Sequence, residues 1–302
     1  MLSSNQIPVV WHEGVYGTDR RSRYGMSTLI NETFDKTGEF EFIHCGGMVE
    51  CPSDATEAVV VIHGEHEHNK VDQIEQDLNR FSRVIVVLAC DEPGIFPGRR
   101  LVHPSRKIWL QTPRPNSTLG DRFMTCGYPH DTQTILSPYN RLSVDRELNW
   151  FFSGQVTHGR RMQAVQQLRT MQGGMLNETM GFWQGLDRAE YYRYMANAKV
   201  IPCPSGPATP DTMRLAEALE AGCVPIADAR CSYPNYPLGY WDTLLKQNPP
   251  FPVIDDWSTL PQVMAEELAK WPANRDALMP WWDEYKRSMC DWMREDIRTL
   301  RG

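Results

Sequence analysis

The chain has 302 residues, 41% hydrophobic and 23% charged, a composition that suits one large or two medium α/β domains. Its formal net charge of −7 gives no electrostatic ground for tight nonspecific nucleic-acid binding, which rests on many Lys/Arg contacts to phosphates, and leaves room only for local basic patches. Neither the start, MLSSNQIPVVWHEG, nor any later segment has an apolar run that reads as a secretory leader or a bilayer span, so a soluble cytoplasmic protein is expected.

In chain order, residues 7–11, 40–45, 58–63, 83–90 and 107–112 read as buried strands, rich in β-branched residues and bounded by turn signals. Between the third and fourth, residues 69–81 set Val71, Ile74 and Leu78 on one helical stripe. Strand, helix and strand at this spacing predict a parallel sheet with right-handed crossovers. Arg20, Arg21 and Arg23 form one small basic cluster, and Arg99, Arg100, Arg106 and Lys107 another; both read as solvated loops. Eight cysteines (Cys45, Cys51, Cys90, Cys126, Cys203, Cys223, Cys231 and Cys290) include no C-x-x-C pair and read as reduced core residues.

Residues 131–145, with Ser137-Pro138, interrupt both periodicities and are the expected link, giving domains over 1–146 and 147–302. Beyond it, 150–153 reads as a strand, 154–157 as a tight loop and 158–171 as a helix with Met162, Val165 and Leu168 inward. A Gly-rich link at Gly173 and Gly174 leads to a helix that feeds a strand near Lys199. The tail from about Pro280 is an amphipathic helix whose stripe of Trp281, Tyr285, Met289, Trp292 and Ile297 is expected to pack across both domains. The predicted fold is therefore α/β, two doubly wound Rossmann-like domains with a C-terminal helix bridging back.

The most informative stretch is 199–228, KVIPCPSGPATPDTMRLAEALEAGCVPIAD, which reads as strand, small-residue loop, helix and strand. Thr209 suits an N-cap, Pro210 the first helical position and Gly222 the position after the last turn. A helix start built from hydroxyl residues offers unpaired N–H groups and a positive dipole end to an anion. Arg214 and Glu217 then stand one turn apart, suiting a ligand with phosphates at one end and sugar hydroxyls at the other, although the same pair also reads as an ordinary surface i,i+3 contact.

Two segments together carry a resemblance. FFSGQVTHGRR supplies Phe152, Gly154 and Arg160 or Arg161; the later stretch supplies Cys203, Pro204 and Gly206, then Asp211, Thr212 and Arg214, then Glu217 and Ala218, then Gly222, Cys223, Val224 and Pro225. In this order they resemble the C-terminal half of exostosin-like glycosyltransferases of the GT-B fold, over roughly residues 150–230. Thr212 stands where that family prefers Ser, and the N-terminal half carries no signature of it.

The resemblance implies a nucleotide-sugar donor on the second domain, facing a cleft, and no separate cofactor. Its diphosphate would be held by Ser153, Gly154, Ser205, Gly206, Thr209 and Thr212, neutralised by Arg160 or Arg161 with Arg214, and its ribose bound by Glu217. Inverting, metal-independent transfer of a hexose or pentose would also need a base on the first domain, where strand C-termini offer Glu65 or His66, then Asp91, then Glu13. HGEHEH, residues 63–68, tempts a metal reading, but no spaced Cys or His partners accompany it. Two rival readings change the acceptor or remove the chemistry: a hydroxylated base in DNA in place of a carbohydrate, or a non-enzymatic nucleotide-sugar-binding module. A nicotinamide-dependent oxidoreductase is disfavoured, because no strand runs into G-x-G-x-x-G.

Overall fold

A computed structural model describes residues 3, 5–12, 32–34, 36–115, 117–129, 131–181, 184–233 and 236–301. Glu13 and the Arg20, Arg21 and Arg23 cluster lie outside the described residues. The chain forms two compact units, Met1–His130 with Tyr285–Gly302, and Asp131–Glu284.

The first unit is built on a six-stranded sheet in the order β2-β1-β3-β4-β5-β6. Its strands are β1 (Gln6–Trp11), β2 (Glu41–Cys45), β3 (Glu57–His63), β4 (Arg83–Ala89), β5 (Arg106–Gln111) and β6 (Arg122–Met124). All pairings are parallel. Near-continuous apolar runs explain this, since the central strands β3 and β4 are buried on both faces and need no polar alternation. Helices α1 (Gly64–Glu67) and α2 (Val71–Leu78) make the crossover from β3 to β4, and α2 buries the anticipated Val71, Ile74 and Leu78.

The second unit carries a five-stranded parallel sheet ordered β11-β10-β9-β7-β8. Its strands are β7 (Leu148–Gln155), β8 (Gly174–Thr179), β9 (Ala198–Cys203), β10 (Val224–Asp228) and β11 (Val253–Ile254). The helices before β10 are α3 (Thr132–Leu136), α4 (Gly159–Leu168), α5 (Arg188–Ala196) and α6 (Met213–Glu220). After it come α7 (Tyr240–Leu245), α8 (Leu260–Ala269) and α9 (Ala273–Arg301). One core cluster joins Trp150, Phe152, Val165, Val200, Ile226 and Trp257.

Met162, expected inward, is 53% exposed, and residues 131–145, expected as a link, hold α3 within the second unit. Three further features differ from the sequence reading. The Gly-rich link at Gly173 and Gly174 opens onto strand β8, which pairs with β7 from Trp150↔Gly174 onward; a side chain at Gly174 would strike the Trp150 ring, so glycine here permits close strand packing. Helix α6 starts at Met213, not at Pro210, because the first turn closes on Thr212, whose carbonyl accepts from the Leu215 N–H at 3.0 Å. Its end is as expected: the Gly222 N–H reaches the Leu219 carbonyl and the Cys223 N–H the Ala218 carbonyl, with Gly222 at φ 72.

The third difference is α9, which begins seven residues before Pro280 and runs 29 residues with that proline exposed inside it. Burial of Arg275, Leu278 and Met279 outweighs the helix-start preference of proline. Its buried stripe is Leu278, Trp282, Tyr285, Met289, Met293, Ile297 and Leu300, while Trp281 and Trp292 are half-buried. Residues from Tyr285 onward belong to the first unit, so this one helix serves both. Among the described residues no helix is long and apolar enough to cross a membrane, and all eight cysteines are buried and free.

Candidate functional site

In the second unit the C-terminal ends of β7, β9 and β10 bring together the residues singled out around 153–161 and 203–217. Ligands of parallel sheets bind at such ends. Arg214, in the first turn of α6, donates from Nη2 to the Ser153 carbonyl at 2.6 Å and lies over the Phe152 ring, 4.5 Å from its centroid. Gly154 makes this possible, since a Cβ there would stand 2.4 Å from that Nη2. Arg161, on α4, donates to the carbonyls of Ser205 and Gln155, each at 3.2 Å. Burial first, and the Arg214 charge second, bring the Arg161 guanidinium down to about 9. Among the described residues neither arginine forms an ion pair.

Around these two cations the buried side-chain atoms Ser205 Oγ, Thr209 Oγ1, Thr212 Oγ1 and Arg214 Nε have no hydrogen-bond partner among the described residues. Buried polar groups are rarely left so, and several in one loop beside two unneutralised guanidiniums mark a place prepared for an anionic, oxygen-rich ligand. Gly206 lies in the same loop, with its Cβ position 3.4 Å from the Thr209 carbonyl.

Arg160 has a different assignment. It pairs with Asp228, a fully buried carboxylate at the end of β10, and also donates to the Asp255 carbonyl at 2.8 Å. The Asp228 carboxylate also accepts from the Ser205 N–H at 3.2 Å, the Trp257 indole at 2.9 Å and the Arg230 N–H at 3.1 Å. Asp228 therefore fixes the loop that carries Ser205. Neighbouring His158 precedes α4, with Nδ1 2.9 Å from Ser232 Oγ; burial, then the Arg161 charge, bring it down to about 4 and keep it neutral.

Glu217, one turn beyond Arg214, is held by two tyrosines. Its carboxylate oxygens accept from the Tyr191 and Tyr192 hydroxyls, both at 2.8 Å, and Tyr192 Oη lies 2.5 Å from Thr132 Oγ1. Burial, then the Glu217 charge, push both phenols well above their ordinary range, so they remain donors. Each carboxylate oxygen keeps a further acceptor site for a ligand hydroxyl.

In the first unit, Glu65, His66 and Asp91 share the corner at the ends of β3 and β4. The Glu65 N–H donates to the Cys90 carbonyl at 3.1 Å, and a Cβ on Gly64 would stand 2.4 Å from the Asp91 Cβ. Glu65 and His66 are exposed, and the His66 ring stacks edge-on against His63 at 4.1 Å. Asp91 Oδ1 accepts from the Ile95 and Phe96 N–H groups at 3.0 and 3.2 Å. Burial outweighs these bonds and raises the Asp91 carboxyl to about 6. The fourth candidate, Glu13, lies outside the described residues. No group of three metal-binding side chains occurs among the described residues.

Asp228, His158, Tyr191 and Tyr192 escaped the sequence reading. Only Asp228 carried a signal, as the terminal carboxylate of a strand in a parallel sheet.

Residues 175–299 match the family model described as the RXYLT1 C-terminal domain, an exostosin-like glycosyltransferase family, over a span that runs from β8 into the last turns of α9. A comparison with curated protein sequences finds no match. Among solved structures the chain is similar to an alpha-glucosyltransferase in complex with UDP-glucose and DNA containing an abasic site, with 10% identity, a TM-score of 0.48, and 98% of this chain and 99% of that chain covered.

Proposed function

We propose that this chain is a glycosyltransferase that moves a sugar from a nucleotide-sugar donor to an acceptor hydroxyl, with the donor on the second unit. The family match over residues 175–299 supports glycosyl transfer in general. The observation that carries the donor site is the Arg161 and Arg214 pair: two neighbouring half-buried guanidiniums, hydrogen-bonded to main-chain carbonyls, beside buried hydroxyls without partners. A diphosphate supplies the missing charge and the missing acceptors at once. In this reading Glu217, braced by its tyrosines, accepts from the ribose hydroxyls.

In the reaction the acceptor oxygen bonds the anomeric carbon, the bond from that carbon to the phosphate oxygen breaks, and the nucleoside diphosphate leaves with the bonding pair. Arg161 and Arg214 meet the negative charge that grows on the leaving oxygen, which is where preorganised donors accelerate transfer most. The acceptor proton needs a general base, for which Asp91 is our candidate on chemistry. A carboxyl raised to about 6 is both ionised at neutral pH and a stronger base than an ordinary aspartate. The transfer we propose is metal-independent, because two arginines are available to neutralise the diphosphate, and inverting, as the resemblance to exostosin-like glycosyltransferases implies.

A thermal-shift screen against nucleoside diphosphates and their hexose and pentose conjugates tests the donor site, since a ligand of the folded state raises the melting point by mass action. At least one conjugate should stabilise the wild type and fail to stabilise Arg214→Ala. If no nucleotide or nucleotide sugar shifts the wild type, the donor reading falls.

A further inference from the structure

The first unit contains a cavity of about 400 Å³ formed by its own side chains. It lies where β4 and β5 end, with apolar walls from Leu88, Phe96, Leu110 and Leu119, and with Asp91 and Arg99 among its polar lining. That volume is at the scale of small-molecule sites, and the mixture of apolar walls with a few polar groups is their usual composition.

Two independent features indicate a built site. The backbone leaves both strands in a left-handed conformation at non-glycine residues, Cys90 with φ 53 after β4 and Thr112 with φ 118 after β5. Such conformations persist only where the surroundings enforce them, and they concentrate at ligand sites. Here buried Gln111 provides the enforcement: its Oε1 accepts from the Cys90 N–H at 3.1 Å, and its Nε2 donates to the Cys126 carbonyl at 3.2 Å. The polar lining is also incompletely used. With Asp91 Oδ1 committed to two main-chain N–H groups, Oδ2 makes no hydrogen bond among the described residues, and the exposed Arg99 side chain makes neither an ion pair nor a hydrogen bond among them.

We infer that this cavity binds a free small molecule with an apolar body, a hydroxyl that meets Asp91 Oδ2 and a carboxylate or phosphate group that meets Arg99. Sugars present hydroxyls around their whole rim, which the four apolar walls satisfy poorly even with Gln111, Thr112, Arg114 and Ser117 also in the lining. As a binding site the cavity stands alone. As the acceptor site it rests on the transfer reaction proposed above, in which Asp91 Oδ2 receives the hydroxyl proton.

The experiment is calorimetry on the full chain with 4-(hydroxymethyl)benzoate and 3-(4-hydroxyphenyl)propanoate, with neutral 4-(hydroxymethyl)benzamide as control. Both acids should bind saturably to the wild type. Arg99→Ala should weaken the acids at least tenfold and leave the amide unchanged, whereas Leu119→Trp, which fills the cavity, should weaken all three. UDP titrated into the same variants reports the donor site separately. An unchanged thermal unfolding midpoint shows that the variants are folded, and absent UDP binding to the wild type would remove the donor reading while leaving the cavity result intact. The inference is overturned if neither acid binds the wild type or if Arg99→Ala does not separate acid from amide; transfer found only to hydroxylated bases in DNA or to polymeric glycans overturns the acceptor role.

Discussion

Arg161 and Arg214 oppose one another: after burial, the charge of Arg214 is the largest influence lowering the Arg161 guanidinium, and each head group is hydrogen-bonded to main-chain carbonyls. A protein with no anion to bind gains nothing from this arrangement. Arg161→Ala and Arg214→Ala should each weaken UDP binding by about 1.5–3 kcal/mol, the usual cost of losing a charge-assisted contact. Calorimetry with UDP checks this, and equal affinity in all three proteins would remove these arginines from the donor site.

The adjacent arginine should behave otherwise. Arg160→Met leaves the fully buried Asp228 carboxylate without its cation, and truncating one member of such a pair costs about 3–5 kcal/mol. Urea unfolding should therefore show a large loss for Arg160→Met and a much smaller one for Arg161→Met. The reverse order would mean that the two side chains have exchanged roles.

Glu217→Ala strips the acceptor from two phenols at once; Tyr192 keeps Thr132 Oγ1 as a partner, and Tyr191, left unsatisfied, costs roughly 1–3 kcal/mol. Glu217→Gln keeps one acceptor oxygen and should fall between the wild type and the alanine variant in thermal unfolding. If Glu217→Ala melts with the wild type, the tyrosine brace contributes no stability.

Burial raises the Asp91 carboxyl to about 6, against the lowering effect of its main-chain hydrogen bonds. A base must be ionised to act, so turnover of the preferred sugar nucleotide should rise through about pH 6 and level off above it. Asp91→Asn should remove that limb and most of the rate while donor affinity stays constant. A rate profile with the same inflection in Asp91→Asn would assign the base elsewhere.

His12 supplies a pH dependence of stability. Its ring nitrogens lie 2.6 Å from Glu67 Oε1 and 2.9 Å from Asp77 Oδ2. Burial opposes the imidazolium, but the two carboxylates outweigh it and raise the folded value above 6.5. The sign follows from linkage: the stabilisation is complete below 6.5, the unfolded value, and is lost as pH rises through the folded value. Urea unfolding should show His12→Gln losing most against the wild type on the acid side, with the gap narrowing above neutrality. A gap independent of pH would show that the charge of His12 plays no part.

Local signals made much of this fold legible. Apolar runs gave β1, β3, β4, β5 and β9 to within a residue or so, and the α6 C-terminus was readable from Gly222, because these depend on short-range chemistry. Strand β8, GMLNET, was not, since it is half-buried along most of its length and shows neither a continuous apolar run nor clean alternation. The α6 start slipped by three residues because Thr209 and Thr212 are chemically equivalent caps, and only tertiary structure chooses between them. Within the site, sequence left open whether Arg160 or Arg161 faces the ligand. Which of them turns to Asp228 depends on a carboxylate 68 positions away, as the Tyr191 and Tyr192 brace depends on residues 25 and 26 positions away. Such long-range partnerships leave no periodic trace.

Helix α9 has a consequence for biosynthesis. The first unit includes Tyr285–Gly302, with the buried Met289, Met293 and Ile297, and the indole of Trp109 on β5 donates to Asp296 Oδ2 at 2.9 Å. Translation makes the sheet of the first unit, then the second unit, and only then this cover, so the first unit is begun before the second and completed after it. A chain truncated after Glu284 should hold a second unit and an apolar sheet still without its cover, the state that most needs a chaperone.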